Sequence, residues 1–62
     1  MAKFVLDRMA LDSKKSEAKG KIANALGSNV SISGDTIEVK YSSDATKVAQ
    51  ILNDAGVSYS GG

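Results

Sequence analysis

Alternating hydrophobic and polar residues predict three extended segments, at residues 3–7, 30–33 and 36–41. The second and third segments are separated by Gly34 and Asp35, a pair typical of a two-residue hairpin turn of type II′. A β-hairpin is therefore predicted here, and the alternation gives each segment one apolar face. The predicted buried residues of the strands are Phe4, Leu6, Val30, Ile32, Ile37, Val39 and Tyr41.

Apolar residues recur at helical spacing in two other stretches. The first predicts an α-helix over residues 13–26, and the second predicts one over residues 44–55. Gly27 and Gly56 follow these stretches at the positions where a left-handed residue commonly ends a helix. Side chains that can cap the helix starts are Asp12 and Ser13 for the first helix, and Ser42, Ser43 and Asp44 for the second.

The last residues predict a short edge strand at 57–59, followed by a frayed tail at 60–62. The order of elements is then strand, helix, strand, strand, helix, strand. This order predicts a single α+β domain, residues 1–62, with a ferredoxin-like βαββαβ two-layer sandwich. Right-handed crossovers would give an antiparallel sheet of order 4-1-3-2 with both helices on one face.

The order and the residues around the first loop resemble a known family. Residues 8–14 read Arg-Met-Ala-Leu-Asp-Ser-Lys and stand where heavy-metal-associated domains of copper chaperones and metal-transporting ATPases carry a G-M-T-C-x-x-C loop. Met9 matches the methionine of that loop. Residues 37–41 and 48–56 are similar to the family's third strand and second helix, so the resemblance covers nearly the whole chain.

The metal-binding chemistry of that family is missing from these residues. Leu11 and Lys14 stand at the two cysteine positions, and Arg8 replaces the glycine. Monovalent copper needs soft sulfur ligands, which a single methionine beside a lysine ammonium does not supply. We therefore expect no copper or zinc binding and no cofactor.

Composition narrows the function classes further. The chain has 62 residues, a formal net charge of +1, and neither histidine nor cysteine. A chain this short has little volume for an enclosed substrate site, so we expect no enzyme activity. The balanced charge argues against a general nucleic-acid or membrane binder, and the absence of an apolar leader favours the cytoplasm.

The loop between the first strand and the first helix is the predicted binding surface. Met9 and Leu11 leave two alternatives, of which we favour the one in which both fold back over the core. In the other, both side chains are exposed as an apolar pair with a basic rim, a composition typical of a small protein–protein contact. The candidate partner-binding residues are Arg8, Met9, Leu11, Lys14 and Lys15.

The lysines of the first helix suggest an alternative anion or nucleic-acid site, formed by Lys14, Lys15, Lys19 and Lys21. We favour solvated flanks of the helix instead, because the four lysines do not form one stripe and Glu17 can pair with Lys21. The predicted open sheet face also lacks the aromatic residues on which RNA bases stack.

The main hypothesis is therefore a non-catalytic, metal-free module that binds another protein as a monomer or weak homodimer. The remaining alternative is a self-associating structural unit joined by edge strands.

Overall fold

The computed structural model describes residues 2–62 and contains two α-helices and a four-stranded antiparallel sheet. The predicted α+β class is confirmed, and Met1, which the predicted domain 1–62 includes, lies outside the described residues. The strands are β1 (Ala2–Leu6), β2 (Val30–Ser33), β3 (Thr36–Val39) and β4 (Tyr59–Gly61), and the helices are α1 (Asp12–Leu26) and α2 (Ala45–Ala55). Short 3-10 helices precede β2 and α2, at Gly27–Asn29 and Ser42–Asp44.

The sheet has the order β2-β3-β1-β4, which reads 4-1-3-2 from its other edge. The hairpin between β2 and β3 has the predicted register, with Ser33 opposite Thr36 across the two-residue turn. Gly34 has a φ of 58°, and no residue other than glycine has a positive φ in the described chain. This combination fits a type II′ turn and excludes type I′, which needs positive φ at both central residues.

One apolar cluster forms the core. Alternate residues of β1 and β3 are buried on the sheet face that the two helices cover, and α1 and α2 also contact each other. The opposite face of the sheet stays exposed, as it is at Lys3 and Glu38, which lie opposite each other on β1 and β3. The buried hydrophobic residues are Ala2, Phe4, Leu6, Ala18, Ile22, Leu26, Ile37, Val39, Val48, Leu52 and Val57.

The last strand begins two residues later than the sequence predicts. After α2, Gly56 N–H donates to the Asn53 carbonyl and Val57 N–H donates to the Leu52 carbonyl, at 3.1 and 2.9 Å. These two bonds form a Schellman motif, in which the residue after the glycine packs on the helix that has just ended. Val57 is therefore a buried helix-end residue, and the strand predicted at 57–59 lies two residues further along, at Tyr59–Gly61.

Residues of the predicted frayed tail take part in the sheet instead. Ser60 pairs with Val5 and Gly61 with Phe4, while Gly62 N–H donates to the Lys3 carbonyl at 2.8 Å. Position 61 requires glycine, because a side chain there would collide with the backbone carbonyl of Lys3 in β1.

The predicted N-cap of α1 is wrong, whereas the N-cap of α2 falls on one of the three predicted residues. The N-cap position of α1 is Leu11 and that of α2 is Asp44, and neither helix start has a side-chain capping hydrogen bond. The 3-10 helix ahead of α2 supplies a backbone partner instead, since the N–H of Ala45, the first residue of α2, donates to the Ser42 carbonyl. Tyr41 itself follows the end of β3 and is 50% exposed, so its predicted place in the core is wrong.

Neither helix within residues 2–62 combines the length and the apolar character required to cross a lipid bilayer.

Candidate functional site

The candidate site is the β1–α1 loop, defined here as residues 7–11. Asp7 shapes it, because its carboxylate Oδ1 accepts a hydrogen bond from Met9 N–H at 3.0 Å and its carbonyl accepts one from Ala10 N–H at 3.1 Å. This is a tight turn of the type that aspartate side chains favour. Asp7 N–H in turn donates to the Ser58 carbonyl at 2.9 Å, which joins the loop to the segment that leads into β4.

The turn directs the two large apolar side chains of the loop into solvent. Met9 lies at the tip of the turn and is 88% exposed, while Leu11 is 63% exposed. Ala10, between them, packs against the core cluster. The favoured prediction, that Met9 and Leu11 fold back over the core, is therefore wrong: the small residue between them covers the core at this point, and the alternative of an exposed apolar pair holds.

Lys15 is placed differently from the sequence prediction. Its side chain is buried, with 6% of the residue exposed, and its ammonium Nζ lies 3.2 Å from Asp35 Oδ1 in the hairpin turn. The same Nζ donates to the Arg8 carbonyl at 3.4 Å. Lys15 is therefore a fixed internal cation that holds the β1–α1 loop and the hairpin turn together, and it is unavailable for direct contact with a partner.

The basic rim consists of the exposed residues Arg8 and Lys14. The Lys14 Nζ lies 3.3 Å from the point where a Cβ on Gly56 would be, so it lies over the C-terminal end of α2. A cation is favourable there, because the last carbonyls of a helix carry partial negative charge. Arg8 lines an open concavity of about 360 Å³ together with Asp7, Ser58 and Tyr59.

The lysines proposed as an alternative anion site are not brought together as four free charges. Lys15 pairs with Asp35, and Lys21 pairs with Glu17 at 3.2 Å, as the i,i+4 spacing predicts. Lys19 is half-buried and Lys14 lies beside Gly56. Two of the four lysines therefore have carboxylate partners already.

Two residues of this region were not singled out from the sequence. The sequence places Asp35 only in the hairpin turn, and nothing in local spacing links it to a lysine twenty positions earlier. The sequence predicts an edge strand at Ser58, but the Ser58 carbonyl holds the loop by accepting a hydrogen bond from Asp7 N–H. Both links join parts of the chain that are distant in sequence, so only the arrangement of the strands reveals them.

Possible metal ligands are not clustered in the part of the chain that the structure describes. Among residues 2–62, no group of three or more histidine, cysteine, aspartate or glutamate residues is placed to hold a metal ion. Leu11 and Lys14, at the positions of the cysteines in the family that the sequence resembles, supply neither thiolate nor carboxylate.

Comparison of the chain with family models, curated proteins and solved structures finds no significant match.

Proposed function

We propose that the chain is a non-catalytic module that binds another protein through the β1–α1 loop. The observation that carries this proposal is the exposure of Met9 and Leu11, two large apolar side chains two positions apart in a loop that the hydrogen bonds of Asp7 hold in position. A fixed turn loses little conformational entropy on binding. Most of the free energy gained by burying its apolar side chains therefore contributes to affinity.

The partner that fits this surface has an apolar groove with acidic residues at its margin. Met9 is suited to the groove, since its unbranched thioether side chain adapts to irregular apolar surfaces. Arg8, next to Met9 in the chain, and Lys14, three positions after Leu11, are exposed cations and would meet carboxylates at the margin. Such a contact is small, which favours a weak, reversible interaction of the kind used in regulation.

The proposal extends to the architecture and the family. A ferredoxin-like fold is supported by the strand order, by the antiparallel pairing of neighbouring strands and by the helices that share one core cluster. A relationship to heavy-metal-associated domains is supported by the place of the β1–α1 loop between the first strand and the first helix. In that case the exposed loop stands at the position of the family's metal-binding loop and lacks its cysteines. The absence of catalysis and the cytoplasmic location stay predictions from the sequence.

The alternative of anion or nucleic-acid binding by the lysines of α1 has less support. Lys15 and Lys21 already have carboxylate partners, so an incoming phosphate would have to displace Asp35 or Glu17. The exposed face of the sheet also presents Lys3, Val5 and Glu38 in place of aromatic residues.

Photo-crosslinking tests the proposed surface. A benzophenone amino acid is introduced at Met9 in the tagged protein and, as a matched control, at Tyr41, which is also exposed but follows β3 at the opposite end of the sheet. We expect discrete crosslinked proteins from position 9 in the source cells and none of the same proteins from position 41. The products should decrease at least about tenfold when Leu11→Ser is added, because half of the apolar pair is then lost. Equal products from the two positions, or products insensitive to Leu11→Ser, would contradict the proposal.

A further inference from the structure

The outer edge of β2 carries hydrogen-bonding groups that no other strand uses in the described chain. β2 is an edge strand, with β3 on its inner side. Lys40 N–H donates to the Asn29 carbonyl at 2.9 Å, and bonded pairs alternate along an antiparallel ladder. With the observed register, Ser31 and Ser33 are therefore bonded to β3, whereas Ile32 directs its N–H and C=O away from the sheet.

This edge lacks the features that usually prevent strand addition. Edge strands are commonly protected by charged residues, prolines or bulges. β2 has the sequence Val-Ser-Ile-Ser, with no charge and no proline, and its register against β3 is regular. Val30 and Ile32 are only half-buried on the side that the helices cover. A strand added here would gain backbone hydrogen bonds and also cover part of these two side chains.

The other edge of the sheet is a poorer template. β4 has three residues, and its Gly61 has a φ of 90°, far from extended geometry. Tyr59 and Gly61 are the residues of β4 whose backbone groups face outward, because Ser58 and Gly62 are bonded to β1. The irregular backbone at Gly61 interrupts the spacing that a further strand would need.

We propose that two copies of the chain associate by antiparallel pairing of their β2 strands. The strand is neutral, so a second copy brings no like charge to the edge, and identical strands pair naturally about a two-fold axis. With the axis at Ile32, each copy's Ile32 donates to and accepts from the other, and the two isoleucine side chains lie side by side. Ser31 of one copy then lies opposite Ser33 of the other on the open face, and the two sheets become one sheet of eight strands.

The association is weak, because pairing of two four-residue edge strands buries little surface area. Interfaces of this size are transient, and a dissociation constant of about 0.1–1 mM is expected. It is independent of the proposed function, since it uses the β2 edge and neither Met9 nor Leu11. Variants of the β1–α1 loop therefore distinguish the two proposals.

Dilution of ¹⁵N-labelled protein from about 2 mM to about 50 µM tests the inference, with amide shifts as the readout and sedimentation equilibrium as a check of mass. Concentration-dependent shifts should centre on residues 30–33 and should persist in the Met9→Ser/Leu11→Ser variant. A protein that stays monomeric at the highest concentration, or shifts centred on β4 or on the β1–α1 loop, would overturn the inference.

Charge substitution at the two exposed serines of β2 provides a second test of the association. Ser31→Lys/Ser33→Lys should weaken association at least about tenfold, because lysines of the two copies face each other across the new strand pair. The neutral control Ser31→Gln/Ser33→Gln should associate like the original protein. Mixing the lysine variant with Ser31→Glu/Ser33→Glu should restore association between unlike chains. Unchanged self-association of the lysine variant would overturn the inference, as would failure of the two charged variants to associate while both are folded.

Discussion

At the scale of single residues, the β1–α1 loop depends on one buried ammonium. The Nζ of Lys15 has two oxygen partners, the Arg8 carbonyl and Asp35 Oδ1. The two sides of the ion pair are unequally exposed, since Lys15 is buried and Asp35 is only half-buried. Removing the carboxylate leaves a charge inside the protein, whereas removing the lysine leaves a carboxylate that water can reach.

This asymmetry predicts unequal effects of two substitutions. Asp35→Ala should lower the free energy of unfolding by about 1–3 kcal/mol, because the buried ammonium loses its charged partner. Lys15→Met keeps the apolar stem and should change stability by less than about 1 kcal/mol. Urea denaturation measures both, and a larger loss for Lys15→Met than for Asp35→Ala would contradict the assignment.

Lys15 also shows where sequence reasoning reaches its limit at this scale. Its place in the first turn of a helix and its charge both suggested a surface residue, and neither property indicated Asp35 as a partner. Met9 and Leu11 were equally ambiguous, because hydrophobicity alone does not distinguish a core residue from an exposed contact. The turn formed by Asp7 determines which residues are exposed, since it directs Met9 outward and Ala10 inward.

At the scale of elements, the sequence was most informative where periodicity and turn residues agreed. The β2–β3 hairpin and the ends of both helices follow from the alternation and from Gly27, Gly34 and Gly56. The last strand did not follow, because an apolar residue after a helix-ending glycine fits both a strand and a Schellman motif. Val57 belongs to the second, through its bond to the Leu52 carbonyl.

Alanine substitution at two glycines of comparable exposure should change the stability of the protein in opposite directions. Gly56 has a φ of 74°, and a Cβ there would lie 3.3 Å from the Lys14 Nζ, so Gly56→Ala should destabilise the protein by about 1–2 kcal/mol. Gly20 lies inside α1 with nothing within 4 Å of the Cβ position, so Gly20→Ala should stabilise it by about 0.5–1 kcal/mol. Thermal unfolding of the two variants measures the difference, and shifts of the same sign would show that the end of α2 is not as described.

At the scale of the whole molecule, one core cluster supports every element. A chain of this size buries only about 60% of the surface that its unfolded form exposes, so its total stability is a few kcal/mol. Ile22 of α1 and Ile37 of β3 are both fully buried in that cluster. Loss of one large side chain therefore removes a large fraction of the stability of the domain.

Ile22→Ala should lower the free energy of unfolding by about 2–4 kcal/mol, through lost burial and the cavity left behind. The matched control is Lys47→Ala on the exposed side of α2, which should change it by less than about 0.5 kcal/mol. Chemical denaturation followed by circular dichroism compares the two. A loss below about 1 kcal/mol for Ile22→Ala would mean that the helices and the sheet do not share one core.

The edge-to-face contact between Phe4 and Tyr59, with ring centroids 5.3 Å apart, supplies the protein with an optical reporter. The chain has no tryptophan and two tyrosines, so its intrinsic emission arises from Tyr41 and Tyr59. Replacing the exposed ring by Tyr41→Phe leaves Tyr59 as the sole emitter, half-buried on β4. Its fluorescence then follows the docking of a single strand, and stopped-flow mixing can time the closing of the sheet against the formation of its helices.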